Sequence, residues 1–289
     1  MSSLKIGIVL LVCIIFSQAQ AYERLALVIG INNYQPIKKE GIVFDQLDKA
    51  VNDARAIRNI LRDLGFAVIY LEDADKRQID EAINLFGNNL QKETVGLFYF
   101  AGHAIQNKGH NYLIPTSMPN IYDATKIEKE AISLSQILES MKEANNNINL
   151  VILDACRNDP ELQIAQLPEH TRKGITERAF RGDTISKGLS KVTNTLVPPD
   201  RLLIAYATAA NSFAREPPPE SLSEKHGYYT KYLLKNLDKQ GYSLRRILDE
   251  VSKEVVLETN GIQTPWYETA MKTDFYPAGR ERMTTDRIF

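Results

Sequence analysis

Two side chains of this sequence have the chemistry of a nucleophile and its base, and each follows an apolar run. His103 comes after TVGLFYFAG, and Cys156 comes after INLVILDA. A nearby imidazole can take the proton of a thiol and return it to a leaving amine, so a Cys–His pair is sufficient for acyl transfer. If the two runs are adjacent strands, the sequence predicts that His103 and Cys156 form such a pair.

Each of the two residues also has a structural interpretation when it is considered alone. A single cysteine at a strand end often serves as a small buried hydrophobic residue. A histidine after a strand often has only local hydrogen bonds to satisfy, although its proton is exchangeable near neutral pH. Their joint placement at the ends of two strands is the feature that favours catalysis.

The elements that would position this pair alternate between strands and helices. Apolar runs rich in Leu, Val and Ile predict strands at 24–31, 67–71, 94–101, 148–154 and 201–207. Apolar residues that recur every three or four positions predict helices at 47–64, 76–90, 133–143, 228–237 and 244–257. This order implies an α/β fold in which a mostly parallel sheet carries helices on both faces. Ligands of such sheets bind outside the carboxyl ends of the strands.

The first 21 residues differ in composition from the rest of the chain. Lys5 precedes an apolar run at 6–16, and the tripeptide Ala-Gln-Ala occupies 19–21. This pattern is typical of a secretory signal peptide, and the run is shorter than the roughly 20 residues that span a bilayer. The sequence therefore predicts a signal peptide at 1–21 and an exported mature chain, periplasmic or extracellular, with no stable membrane insertion after cleavage.

Cysteine content and charge narrow the function further. Cys13 lies within the predicted signal, so Cys156 is the single cysteine of the predicted mature chain. One thiol cannot form an intramolecular disulfide, which makes a reactive role the one to test. Lys and Arg number 35 against 36 Asp and Glu, and this balance gives no basic excess for nucleic acid. Nucleic acid is therefore not a predicted partner.

Two other classes of function lack their motifs. The segment VIGINN follows the first strand, but it contains neither G-x-G-x-x-G nor a G-K-[ST] loop, so nothing would cradle a phosphate. The four histidines show none of the close spacings of zinc ligands: His103, His110, His170 and His226. We therefore predict no metal site and no cofactor.

Five segments in a fixed order resemble the caspase-like cysteine peptidases of the metacaspase and bacterial caspase-homologue branch. They are RLALVIGINNY, AVNDARAIRNIL, LFYFAGHAIQ, LVILDACRND and LIAYATA, and QTPWYE and DFYP follow near the end. The resemblance implies a caspase-like three-layer sandwich, with a central, mostly parallel sheet between two layers of helices. It also implies one peptidase domain at 22–289, with a larger part at 22–159, a linker loop at 160–200 and a smaller part at 201–289.

The resemblance also implies the chemistry, which is hydrolysis of protein or peptide substrates through a thioester. Cys156 matches the nucleophile and His103 the general base, and the backbone N–H groups of Ala104 and Cys156 would form the oxyanion hole. Ala104 stands where the family usually has glycine, and its Cβ restricts the backbone there. The alternative left open is a catalytically weakened caspase-like scaffold or interaction protein. Calcium activation, known in many metacaspases, is also left open.

Asp154 and Asp53 are the predicted carboxylates of a pocket for a basic substrate residue. Asp154 stands two residues before Cys156, where caspases that cleave after Asp have a glutamine, and Asp53 matches the acidic pocket residue of metacaspases. Two carboxylates in a concave pocket favour Arg or Lys, and Arg can pair in a bidentate way. The sequence therefore predicts cleavage after Arg or Lys. The alternative is that Asp53 is a helix-surface charge and Asp154 a strand-end or turn former.

Overall fold

The fold is described from a computed structural model of the chain. The structure describes residues 23–34, 44, 46–107, 110–116, 124–157, 197, 199–208 and 225–280. The predicted signal peptide at 1–21 and nearly all of the predicted linker at 160–200 lie outside these residues, so both remain predictions.

Among the described residues, eight strands form one sheet. They are β1 (Arg24–Gly30), β2 (Ala67–Glu72), β3 (Val95–Asn107), β4 (His110–Leu113), β5 (Ile132–Ser133), β6 (Ile148–Arg157), β7 (Leu202–Tyr206) and β8 (Trp266–Thr269). The order across the sheet is β2-β1-β3-β6-β7-β8, and β4 pairs with both β3 and β5. The five strands from β2 to β7 in this order run parallel. Strands β4, β5 and β8 pair antiparallel with their neighbours.

Helices cover both faces of the sheet. They are α1 (Ala50–Asp63), α2 (Lys76–Asn89), α3 (Ala124–Glu130), α4 (Leu134–Ala144), α5 (Tyr228–Leu237) and α6 (Leu244–Glu258). Apolar residues of α2 and α4 form one buried cluster with the sheet, and those of α1, α5 and α6 form a second cluster. Burial of apolar area on both sides is the main stabilising contribution to such a layered domain. The predicted α/β three-layer sandwich is confirmed.

Local signals in the sequence explain where two of the helices begin or end. The Asp75 carboxylate accepts the backbone N–H of Gln78 at 2.8 Å, and the Gln78 side chain accepts the N–H of Asp75 at 2.9 Å. This reciprocal capping box makes Asp75 the N-cap of α2, which begins at the next residue, Lys76. After α1, Gly65 has a φ of 82°, a left-handed conformation that glycine adopts without a Cβ penalty. Both ends agree with the predicted elements.

Helix α1 begins three residues later than predicted. The apolar periodicity starts at Leu47, but the backbone N–H of Leu47 donates to the C=O of Asn32 at 3.0 Å. This bond ties Leu47 to the segment after β1. The helix starts at Ala50, so periodicity placed the core residues correctly and misplaced the boundary.

The two strands that carry the reactive residues are longer than predicted. Strand β3 continues to Asn107, because β4 pairs with its last four residues. Strand β6 continues to Arg157 and stays paired with β3 up to that residue. His103 and Cys156 therefore lie in paired backbone at the carboxyl end of the sheet.

Candidate active site

His103 and Cys156 occupy directly opposite positions on neighbouring strands. The register between β3 and β6 runs in parallel from Val95 opposite Ile148 to Ala104 opposite Arg157, and it sets His103 opposite Cys156. Adjacent strands lie about 5 Å apart, so the backbones of the two residues are close neighbours. The fold brings the two predicted catalytic residues to one edge of the sheet.

The imidazole of His103 is enclosed by aromatic rings. The Tyr34 ring centre lies 4.4 Å from the His103 ring centre with an interplanar angle of 59°, and the Phe44 ring centre lies 5.3 Å away. The residue is 1% exposed. Close packing of this kind restricts the rotamers of a side chain, so the ring has a defined position in the fold.

The backbone of His103 is also held on both of its polar groups. Its N–H donates to the Tyr34 hydroxyl at 2.8 Å, and its C=O accepts the N–H of Ile114 at 3.0 Å. Buried backbone groups need such partners, because an unsatisfied one costs about 1–3 kcal/mol. The segment after β1 and the segment after β4 thus both contribute to the placement of His103.

Asp154 lies in β6 opposite Ala101 of β3. Its carboxylate accepts the hydroxyl of Thr230, the third residue of α5, at 2.6 Å. The Thr230 hydroxyl is in turn 2.7 Å from the hydroxyl of Tyr99. Burial, followed by the negative charges of Asp154 and Asp53, raises the pKa of Tyr99 well above its ordinary value. Tyr99 therefore stays protonated and can donate in this chain of hydrogen bonds.

Asp53 lies in the first turn of α1 and is 3% exposed. Its carboxylate is 2.7 Å from Nδ1 of His226 and accepts the backbone N–H of Gly227 at 3.1 Å. Burial raises the pKa of Asp53 above its ordinary value, and the hydrogen bonds from His226 and Gly227 act in the opposite direction. Asp53 is therefore not the helix-surface charge of the alternative interpretation. Asp154 lies in β6, three residues before its end, and not in a turn.

The two carboxylates converge on Gly227, the residue that caps the start of α5. A Cβ added at Gly227 would lie 3.2 Å from Asp53 Oδ2 and 3.9 Å from Asp154 Oδ2. The positive end of the helix dipole favours negative charge at this position. The fold therefore assembles a compact acidic group, within two residues of Cys156 along β6, from α1, β6 and the beginning of α5.

Several contact residues of this site were not predicted. His226, Gly227 and Thr230 hold the carboxylates, and Tyr34 and Phe44 enclose the imidazole. The segment HGYYT at 226–230, which spans the start of the predicted helix at 228, carried a weak signal, since a glycine stands just outside the helix start. Nothing in its spacing linked it to a carboxylate on α1.

The backbone around the predicted oxyanion hole is part of the sheet. Ala104 lies opposite Arg157 of β6 on one side and Leu113 of β4 on the other, and it is fully buried. A paired strand therefore borders Ala104 on each side, and its N–H points toward one of them. Donation from Ala104 to an oxyanion would compete with the ladder, and the oxyanion-hole assignment of Ala104 and Cys156 remains a prediction.

Two kinds of feature are absent from the described residues. In this part of the chain, no three His, Cys, Asp or Glu side chains come together as a metal-binding group. None of its helices has the length and apolar content needed to cross a membrane.

Comparison with known proteins extends these observations. Mucosa-associated lymphoid tissue lymphoma translocation protein 1 of Homo sapiens is 27% identical over 240 residues, which are 82% of this chain and 24% of that protein. Its homolog from Mus musculus matches with the same identity and coverage. The chain thus spans about a quarter of the length of these curated relatives.

One solved structure shares the fold over most of the chain. A crystal structure of a Geobacter sulfurreducens protein matches with a TM-score of 0.59 at 18% identity, and the match covers 90% of this chain and 99% of that one. The family model described as Peptidase C14, caspase domain, matches residues 23–276. Because this match covers most of the sequence, the chain belongs to the caspase-domain family of peptidases.

Proposed function

We propose that this chain is an exported cysteine endopeptidase that cleaves after Arg or Lys, with Cys156 as nucleophile and His103 as general base. The observation that carries the proposal is the register that sets His103 opposite Cys156 on β3 and β6. Membership of a peptidase family supports a proteolytic reaction on protein or peptide substrates. The apolar run at 6–16 and the Ala-Gln-Ala tripeptide support export.

The proposed reaction begins when the imidazole of His103 takes the proton of the Cys156 thiol. The thiolate attacks the substrate carbonyl carbon, and the carbonyl oxygen becomes an oxyanion that the N–H groups of Ala104 and Cys156 would stabilise. The imidazolium then gives its proton to the leaving amine, and the C–N bond breaks to leave a thioester. Water, activated by the same imidazole, hydrolyses the thioester and restores the thiol.

The proposed specificity depends on the acidic group formed by Asp154 and Asp53. Asp53 is only 3% exposed, whereas Asp154 is half-buried and stands two residues before Cys156 on β6. We therefore assign the direct contact with the substrate cation to Asp154, and to Asp53 a contribution to the negative potential of the pocket. An Arg or Lys substrate residue would be stabilised there, whereas an acidic one would be repelled.

A second candidate function is a catalytically weakened caspase-like scaffold. The observation in its favour is Ala104, which replaces the family's usual glycine and is buried between two paired strands. The Cβ of Ala104 would hinder a rearrangement of the backbone that frees its N–H group from the sheet. The Ala104→Gly variant separates the two functions: a gain in peptidase rate indicates a restrained enzyme, and silence in both forms indicates a scaffold.

The experiment that tests the proposed function measures cleavage of matched fluorogenic peptides that end in Arg, Lys or Asp before the reporter. The purified full chain is compared with the Cys156→Ala variant, each with and without added calcium. We expect release after Arg and Lys, none after Asp, and none in the variant. A folded wild-type protein that cleaves no peptide would support the scaffold, and cleavage that persists in the variant would remove Cys156 from the mechanism.

A further inference from the structure

On one side of β3, the paired strand changes from β1 to β4 at His103, the proposed catalytic histidine. Strand β1 pairs with β3 as far as Gly30 opposite Ala101, and β4 pairs with it from Ala104 opposite Leu113. Among the described residues, no strand pairs with His103 on this flank. A buried N–H in such a gap needs another acceptor, and the hydroxyl of Tyr34 supplies it at 2.8 Å.

The Tyr34 hydroxyl closes a ring of three hydrogen bonds around the backbone of His103. The N–H of His103 donates to Tyr34 Oη, and this hydroxyl donates to the C=O of Ile114 at 3.3 Å. The N–H of Ile114 returns to the C=O of His103 at 3.0 Å. A single side chain thus joins the end of β1 to the segment after β4 at the position of the catalytic histidine.

Gly102 provides the space that this hydroxyl needs. A Cβ at position 102 would lie 2.5 Å from Tyr34 Oη and 2.8 Å from the Phe100 ring, both closer than atoms in van der Waals contact. The glycine before His103 therefore leaves room for the Tyr34 hydroxyl. Any side chain at 102 would displace the hydroxyl that holds His103.

The segment that carries Tyr34 is itself anchored. The carboxylate of Asp73, after β2, accepts the backbone N–H groups of Asn32 at 2.7 Å and Asn33 at 2.9 Å. The hydroxyl of Thr116 donates to the C=O of Asn33. These bonds fix residues 32–34 against two other segments, and they present the Tyr34 ring to the imidazole.

We propose that Tyr34 is a positioning residue of the active site, which sets the place of the His103 imidazole relative to Cys156 through its hydroxyl and its ring. This inference rests on the proposed function, because it assigns a role within the same Cys–His pair. Tyr34 acts through His103 and does not take part in proton transfer. A displacement of about 1 Å in a catalytic group costs up to roughly a hundredfold in rate.

The test measures alkylation of Cys156 by iodoacetamide as a function of pH, read by mass spectrometry on the peptide that contains Cys156. Below the ordinary pKa of a thiol, the thiolate exists mainly as a pair with the imidazolium, whereas near pH 10 the thiol ionises unaided. We expect Tyr34→Phe to lower the alkylation rate near pH 6 by about tenfold or more. The rate near pH 10 should equal that of the wild type.

The matched control is Tyr267→Phe on the edge strand β8, which deletes a tyrosine hydroxyl that donates to Asp249 of α6. This control should follow the wild-type profile throughout. A second variant, Thr116→Val, loosens the segment that carries Tyr34 but keeps the Tyr34 hydroxyl. The alkylation rate of this variant near pH 6 should therefore fall by a smaller factor. Both variants of the Tyr34 segment should also lower kcat on Arg peptides with KM within about twofold.

The possible outcomes separate this inference from the proposed function. A Tyr34→Phe profile that superimposes on that of the wild type overturns the positioning role, even if the wild-type chain cleaves Arg peptides. An equal fall at both pH values also overturns it, because only access to the thiol has then changed. If the wild type cleaves no peptide, a selective loss near pH 6 still supports the positioning of His103.

Discussion

The two halves of the candidate site are positioned by different kinds of contact. His103 is held through its backbone, by Tyr34 and Ile114, and through its ring faces, by Tyr34 and Phe44. The carboxylates of Asp53 and Asp154 are held through their charged oxygens, by donors at the start of α5. The sheet and its loops thus place the proposed base, whereas a helix start places the proposed acidic pocket.

This difference predicts which kinetic constant each half controls. A base that is fixed through its backbone and ring faces affects the chemical step when it moves, because its distance from the thiol changes. Carboxylates that are fixed through their charged atoms affect substrate binding when they are altered, because the same atoms would receive the cation. Changes at the first half should lower kcat, and changes at the second should lower kcat/KM for basic peptides.

The largest effect is expected from His103→Ala. Loss of the base should lower kcat by about 10²- to 10⁴-fold and leave KM for Arg peptides nearly unchanged. The measurement is steady-state kinetics, with thermal unfolding as a check of the fold. His110→Ala is the matched control, since His110 is exposed at the start of β4 and should retain wild-type kinetics. Equal losses in the two variants would show that the imidazole of His103 has no special role.

The next effect is expected from Asp154→Asn. The amide keeps an oxygen that can accept the Thr230 hydroxyl, but it removes the negative charge. A charge-assisted hydrogen bond contributes about 1.5–3 kcal/mol, so kcat/KM for Arg peptides should fall about 10- to 100-fold. The surface variant Asp249→Asn serves as a control for charge alone. If Asp154→Asn cleaves Arg peptides as well as the wild type does, the pocket lies elsewhere.

A smaller effect on the first half is expected from Gly102→Ala. The added Cβ must displace Tyr34 Oη or the Phe100 ring, which should destabilise the fold by about 1–3 kcal/mol. We also expect kcat to fall about tenfold, because His103 loses its anchor. In the double variant with Tyr34→Phe, the loss in kcat should be less than the product of the two single losses. Fully multiplicative losses would mean that Gly102 acts independently of Tyr34.

Asp53→Asn tests the second half through stability and should have the smallest kinetic effect. Burial raises the pKa of Asp53 in the folded chain, so the folded state binds this proton more tightly than the unfolded state does. The stabilisation is present at acid pH and is lost as the pH rises through the raised value. Asp53→Asn should therefore gain stability relative to the wild type as the pH increases above about 4. Denaturant unfolding at several pH values measures the difference in the free energy of unfolding between the variant and the wild type. A difference that does not change with pH would contradict this expectation.

The sequence predicted the elements that have a clear period or apolar run. It predicted the parallel strands and the longer helices, and it placed His103 and Cys156 at the ends of two strands whose adjacency it left open. Strands β4, β5 and β8 have two to four residues each, which is too short for a period to be recognised. Helix α3, with seven residues, was missed for the same reason.

The contacts of the site depended on folding over long stretches of chain. His226 contacts Asp53 across 173 positions, and Thr230 contacts Asp154 across 76. No spacing in the sequence could connect these pairs, because strands β2 to β7 lie between the first two residues along the chain and β7 lies between the second two. The role of Tyr34 was hidden for a related reason: the gap between β1 and β4 exists only once both strands have paired with β3.

The most direct measurement of the central claim is labelling by a peptide that ends in an arginyl chloromethyl ketone. The thiolate of the nucleophile displaces chloride and forms a stable thioether, which peptide mapping by mass spectrometry assigns to a residue. We predict one label, on Cys156, that disappears in His103→Ala, forms more slowly in Asp154→Asn, and is absent with the matching aspartyl reagent. A label on another residue, or labelling of Cys156 that is independent of His103, would contradict the assignment of the Cys–His pair.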